Sequence, residues 1–226
     1  MDEAPVRLFL MGTSRWKRCV EWPLPETRWT PFYLHENGLL WEHEFFPNEG
    51  SSSFSDSPWG REKLEFSTPR LVEDTEVIGP IVANLYASTT DDEILWFASL
   101  WEVDSEDKER VLTRGWLRGS QREVDASRSK PWQPYHPHTR SEPLEPGKIY
   151  EFNIALVATA NLFKAGARIK LKIACCDDVP VHSLEAIAGG HIRRQSGSRV
   201  TLHHNEDYPS HLLLPVTEGN IIGTYV

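Results

Sequence analysis

The chain has 226 residues, of which 39% are hydrophobic and 25% charged, and a net charge of −9 at neutral pH. This suits a globular protein with a sizeable core, as one large β domain or two small ones, and it excludes the broad basic face that binding to nucleic acid requires. No apolar run approaches the roughly 20 residues of a membrane-spanning helix; the longest, Ile94 to Trp101, is strand-sized.

The opening "MDEAPVRLFLMG" is acidic where a secretory leader is basic, and its apolar run is short, so a cytoplasmic location is expected. Val6 to Met11 reads as a first strand. Residues 12–62 follow as a proline-punctuated, aromatic-rich excursion, irregular and partly extended. Lys63 to Phe66 is a short strand. Ile81 to Ser88 and Ile94 to Val103, separated by the polar "TTDDE", read as a hairpin. The second of the pair is apolar on both faces and therefore central. Arg110 to Leu117 comes next, then a polar, proline-rich crossover over residues 119–147.

Ile149 to Val157 alternates cleanly, with Tyr150, Phe152, Ile154 and Leu156 on one face. Arg168 to Ile173 alternates too: Ile169, Leu171 and Ile173 point inward, and Arg168, Lys170 and Lys172 toward solvent. The "KAG" before it supplies a turn. "RVTLHH" and "HLLLPV" close the series, and Ser183 to Gly190 allows one or two helical turns. Many strands, Pro/Gly turns and little helix indicate an antiparallel sandwich or jelly roll with long irregular loops. The chain reads as a single domain over 1–226, with 1–62 an opening strand plus irregular segment and 63–226 the main strands.

Chemistry is sparse. There is no Gly-x-Ser-x-Gly elbow. Ser14 follows a strand and a glycine in "MGTSRW", but no second glycine follows, and it reads as a turn serine. His136 and His138 stand two apart in "YHPHT" and could share one face, yet the flanking prolines suggest an extended loop and no carboxylate stands at a ligating spacing. His204 shares a face with Val200 and Leu202 and reads as a core or rim histidine, His203 as solvent-facing. Cys19, Cys175 and Cys176 are an odd count without metal spacing and read as reduced thiols. No metal site, no cofactor and no catalytic residue is assigned. The nine tryptophans stand out. Aromatic residues in irregular segments anchor partners or fill core edges, and Trp16, Trp22, Trp29 and Phe32 are the candidate docking surface.

Four blocks in order carry a resemblance: "APVRLFLMGTSRWKRCVEWPLPETRWTPFYLHENG" from Ala4, "LVEDTEVIGPIVANLYAST" from Leu71, "EPLEPGKIYEFNIALVATANLFKAGARIKLKI" from Glu142 and "YPSHLLLPV" from Tyr208. Together they resemble the C-terminal non-catalytic domain of the X-Pro dipeptidyl-peptidase and cocaine esterase-like (CocE/NonD) serine hydrolases. The resemblance implies a galactose-binding-like jelly roll. It also implies that the catalytic triad belongs to an α/β-hydrolase domain that precedes this one in the family, present in cis or in trans. No residue here matches a triad position. The "ACCDD" after Ile173 and the short stretch between Glu42 and Lys63 depart from the family and put the substrate in doubt. The expected function is therefore an accessory domain or subunit of a dipeptidyl-peptidase or an ester or amide hydrolase, non-catalytic by itself, with self-association possible and no membrane or nucleic-acid partner. The alternative is a free-standing carbohydrate- or protein-binding module.

Overall fold

Alternation becomes ladder wherever it is clean. The computed structural model describes residues 4–44, 50–56, 62–176 and 197–219. Its strands are β1 (Val6–Leu10), β2 (Arg15–Cys19), β3 (Arg28–His35), β4 (Leu39–Trp41), β5 (Ser51–Asp56), β6 (Lys63–Ser67) and β7 (Thr75–Thr89). They continue with β8 (Leu95–Val103), β9 (Glu109–Arg118), β10 (Tyr150–Phe163), β11 (Arg168–Ala174), β12 (Ser198–Asn205), β13 (Tyr208–Pro209) and β14 (His211–Glu218). The helical turn expected at Ser183 to Gly190 lies outside the described residues.

Nine strands close into a ring in the order β10-β9-β8-β11-β6-β4-β3-β14-β7 and back to β10. Every pairing around it is antiparallel except β4 with β6. The protein is thus all-β and dominated by antiparallel sheet. β12 pairs with the far end of β7 and carries β5 and β13 outside the ring. The β1–β2 hairpin stands apart, tied to β10 through the Met11↔Asn161 bridge.

The inward positions form one core that includes Phe32, Phe66, Trp96, Phe152, Ile154 and Leu171. Burial of such side chains contributes roughly 1.5–3 kcal/mol each. A smaller cluster of Leu10, Cys19, Leu24 and Ile78 seats the hairpin on the ring. On β11 the inward parity is as expected, with Ile169, Leu171 and Ile173 fully buried. Leu171→Asp is expected to cost on the order of 3–5 kcal/mol, because a carboxylate would replace a core contact without a partner. A thermal melt close to that of the parent would show the parity to be wrong.

The ring is thin at two seams. The ladder joins β9 to β10 by one pair, Leu156↔Gly115, and β4 to β6 by one pair, Leu39↔Ser67. A glycine sits at each. A Cβ on Gly115 would stand 2.1 Å from the Ala155 carbonyl oxygen, and one on Gly38, whose φ is +72°, 2.5 Å from that of Glu65.

Three expectations change. β7 and β8 are not a hairpin: β7 bonds to β10, β14 and β12, and β8 lies between β9 and β11. Their polar connection instead receives the crossover, through Leu144 N–H to Asp92 O and Gly119 N–H to Ile94 O. The described part of residues 12–62 is more regular than expected: it holds β2, β3, β4 and β5. Pro31 is tolerated within β3 because β4 pairs only with Tyr33 to His35, which leaves one side of the strand without a neighbour at Pro31. Finally, Lys170 and Lys172 do not extend into open solvent. They are mostly buried beneath Glu65 and Glu109.

Candidate functional site

Serine–histidine contacts do occur, on the sheet that β12 shares with β5 and β7. Ser52 Oγ lies 2.9 Å from His204 Nε2, and Ser88 Oγ lies 3.2 Å from His203 Nε2. Both link neighbouring strands whose backbone groups are engaged in ladders, which leaves no turned-out N–H pair to receive an oxyanion. His204 is buried as expected. His203 is not simply solvent-facing, since it packs against Tyr208 as well as bonding Ser88. Ser14 occupies the β1–β2 turn with φ +56°.

His136 is a fastening. Its Nδ1 faces the Glu123 carbonyl oxygen and its Nε2 that of Asn153, both at 2.9 Å, which pins the 119–147 crossover to β10. His138 packs near it, ring centroids 6.0 Å apart, and its Nδ1 faces Gln121. Among the described residues no three His, Cys, Asp or Glu side chains cluster in a metal-holding arrangement.

Beneath the crossover is an open cleft of about 730 Å³. Its floor is the outer face of β3, β14, β7 and β10. Register places Asn153, Asn84, His211 and Tyr33 side by side across these four strands. They are joined by a directed chain of hydrogen bonds. Asn153 Nδ2 donates to Glu151 Oε1 and to Asn84 Oδ1, each at 2.9 Å. Asn84 Nδ2 can only donate, so His211 Nε2, 3.0 Å away, accepts, and His211 Nδ1–H donates to Pro209 O at 2.9 Å. Burial pushes the His211 ring below the ordinary histidine range, against the pull of Pro209 O and nearby carboxylates, which agrees with a neutral imidazole. Burial likewise raises the Tyr33 phenol, with Glu44 adding to it. One residue-pair further along the strands the floor turns apolar, with Pro31, Leu213 and Trp29. Trp29 stacks on Trp132 of the crossover at 4.6 Å and 10° between planes.

The four docking candidates do not gather in one place. Trp16 is 61% exposed on β2, with Phe9 edge-on at 5.5 Å and the Arg7 guanidinium over its ring. This face of the hairpin is turned away from the small cluster that seats it. Trp22, 43% exposed, lies just beyond β2. Trp29 is in the cleft. Phe32 is wholly buried in the main core, and a side chain without surface cannot anchor a partner. Phe9 was missed because a short apolar strand such as "VRLFL" does not reveal which of its positions face inward. Asn84, Asn153 and His211 were missed as a group because only strand register unites them.

The described residues form a closed, mostly antiparallel nine-strand β-barrel with almost no helix. The chain belongs to the X-Pro dipeptidyl-peptidase C-terminal non-catalytic domain family, whose pattern matches residues 1–213. It is 25% identical to the cocaine esterase of Rhodococcus sp. (strain MB1 Bresler) over 93% of this chain and 41% of that protein. It is 26% identical to a putative serine esterase of Mycobacterium bovis over 78% of this chain and 33% of that one. In fold it is similar to a CocE/NonD family hydrolase from Staphylococcus aureus, with a TM-score of 0.82 at 23% identity over 96% of this chain and 40% of the other. It is similar also to an α-amino acid ester hydrolase, with a TM-score of 0.75 at 18% identity over 95% of this chain and 41% of the other. The chain therefore spans about two fifths or less of the length of these relatives.

Proposed function

We propose that this chain is the accessory C-terminal part of a serine hydrolase acting on esters, amides or X-Pro peptides, with the catalytic triad on an α/β-hydrolase part joined to it in cis or bound in trans. The family match over residues 1–213 carries the reading. In this reading the ring is a flattened jelly roll, its two faces meeting at the Gly115 and Gly38 seams. The thinness of those seams supports a sandwich over an evenly round barrel. No helix among the described residues is long and apolar enough to cross a membrane.

The hairpin face of Phe9, Trp16 and Arg7, with Trp22 beyond it, is the proposed docking surface. Exposed large apolar side chains beside an arginine have the composition of interface anchors. The isolated chain is expected to leave a fluorophosphonate probe unreacted, because among the described residues the serine–histidine contacts, Ser52–His204 and Ser88–His203, lie across strand ladders with no oxyanion site beside them. Stoichiometric labelling of any serine overturns the accessory reading. Trp16→Ala is expected to keep the parent melting temperature and to weaken binding to the hydrolase part by about 2 kcal/mol or more. Loss of melting temperature instead would make Trp16 a structural residue. Trp29, which lines the cleft on another face, is not part of this surface.

A further inference from the structure

We infer that the cleft beneath the crossover binds a neutral saccharide unit. This stands apart from the accessory role, since the cleft lies on the β3-β14-β7-β10 face and not on the β1–β2 hairpin. Its volume of about 730 Å³ falls in the range of small-ligand sites, roughly 300–1,000 Å³. Its two ends differ in chemistry. At one end the mutually stacked Trp29 and Trp132, with Pro31, give the cleft a rigid apolar wall against which the C–H groups of a sugar can pack. At the other, the Asn84–Asn153 pair is held in place by its own hydrogen bonds, so its remaining valences are pre-oriented. Asn153 has spent both amide hydrogens and keeps its carbonyl oxygen as an acceptor. Asn84 keeps one amide hydrogen and a second lone pair. Glu151 keeps its other carboxylate oxygen. Such a mixture of fixed donors and acceptors suits hydroxyl groups, each of which both donates and accepts.

Charge narrows the class. The lining holds one ammonium, Lys130, and one carboxylate, Glu151, with His211 neutral, so nothing selects for a phosphate, a carboxylate or a cation. The whole chain, at −9, further disfavours anionic glycans.

The 226-residue chain is to be titrated by calorimetry, with tryptophan fluorescence in parallel, against neutral hexasaccharides of glucose, xylose, mannose and N-acetylglucosamine, and against decaproline. Saturable binding of at least one saccharide is expected, weakened roughly tenfold or more by Asn84→Ala and by Trp132→Ala. Lys148→Ala, a surface control, should leave it unchanged. Trp132 lies on the crossover outside every strand, so its variant remains informative should Asn84→Ala lose stability. Silence with all four saccharides overturns the inference. So does saccharide binding that survives both cleft substitutions, and so does binding of decaproline alone, which would assign the cleft to an extended peptide.

Discussion

Gly115→Val is expected to destabilise the protein by about 3–5 kcal/mol, which lowers the melting temperature by roughly 6–20 °C for a domain of this size. Three backbone atoms stand in the way of the added side chain. A Cβ at Gly115 would lie 2.1 Å from Ala155 O, 2.8 Å from Ala155 C and 2.9 Å from Leu156 Cα. No flexible side chain can swing aside, so relief requires β9 and β10 to separate. Their single ladder pair is Leu156↔Gly115, and Thr113 Oγ1 donates to Val157 O beside it at 2.5 Å. Separation therefore opens the ring at a seam and wets Leu156 and Leu117, both buried there. Gly50→Ala is the control: an added Cβ meets nothing within 4 Å, and no positive φ opposes it. Urea and thermal melts compare the two. Coincident transitions for Gly115→Val and the parent would mean that the seam is not under steric constraint.

What the sequence conceals follows from what strands need. β8, β10 and β11 announce themselves because each alternates or stays apolar over many residues, and burial rewards that pattern along the whole strand. β3 hides because Pro31 breaks the expected run. Treating the segment as irregular also removed the parity that separates Trp29 from Phe32. Three residues apart on a strand, they must face opposite sides, and they do: Trp29 lines the cleft and Phe32 enters the core. The false β7–β8 hairpin has a different source. A short polar connection is compatible with a crossing between the two faces of the ring as well as with a tight turn, and local composition does not distinguish them. The cleft is the least legible feature. Asn84 pairs with Asn153 and His211 across sequence separations of 69 and 127 residues, so no local window contains the group. The family resemblance was more legible than any site, because four modest blocks in order exceed what any one supplies.

Lys170→Asp is expected to cost about 2–3 kcal/mol at pH 7, far more than the few tenths usual for a surface position, and most of that loss should vanish near pH 2. Lys170 Nζ lies 2.5 Å from Glu109 and 3.0 Å from Glu65. Lys172 Nζ lies 2.6 Å from Glu109, and it sits over the Trp101 ring, 3.9 Å from the centroid. The ammonium-bearing side chains are only 16% and 6% exposed, while the carboxylates are 34% and 32% exposed. That partial hydration keeps the cost below the 3–5 kcal/mol of a fully buried broken pair. Burial pushes the Glu109 carboxyl up, but hydrogen bonds and charge from both lysines outweigh it and hold it down to about 2. Glu65 is likewise lowered, burial again opposing Lys170, Lys172 and Lys63. A carboxyl depressed in the folded state binds its proton more readily when unfolded. Its contribution is therefore complete above the ordinary value of 4.5 and is lost as the pH falls from there toward about 2. Lys170→Asp places a third carboxylate among the two, so its penalty is greatest where all three are ionised. Protonation in acid removes the repulsion in the variant and the attraction in the parent, and the two melting temperatures should converge. A penalty that persists unchanged at pH 2 would assign the loss to packing around Trp101 and not to charge. Equal melting temperatures at pH 7 would show that both ammonium groups remain hydrated on the outer face of β11.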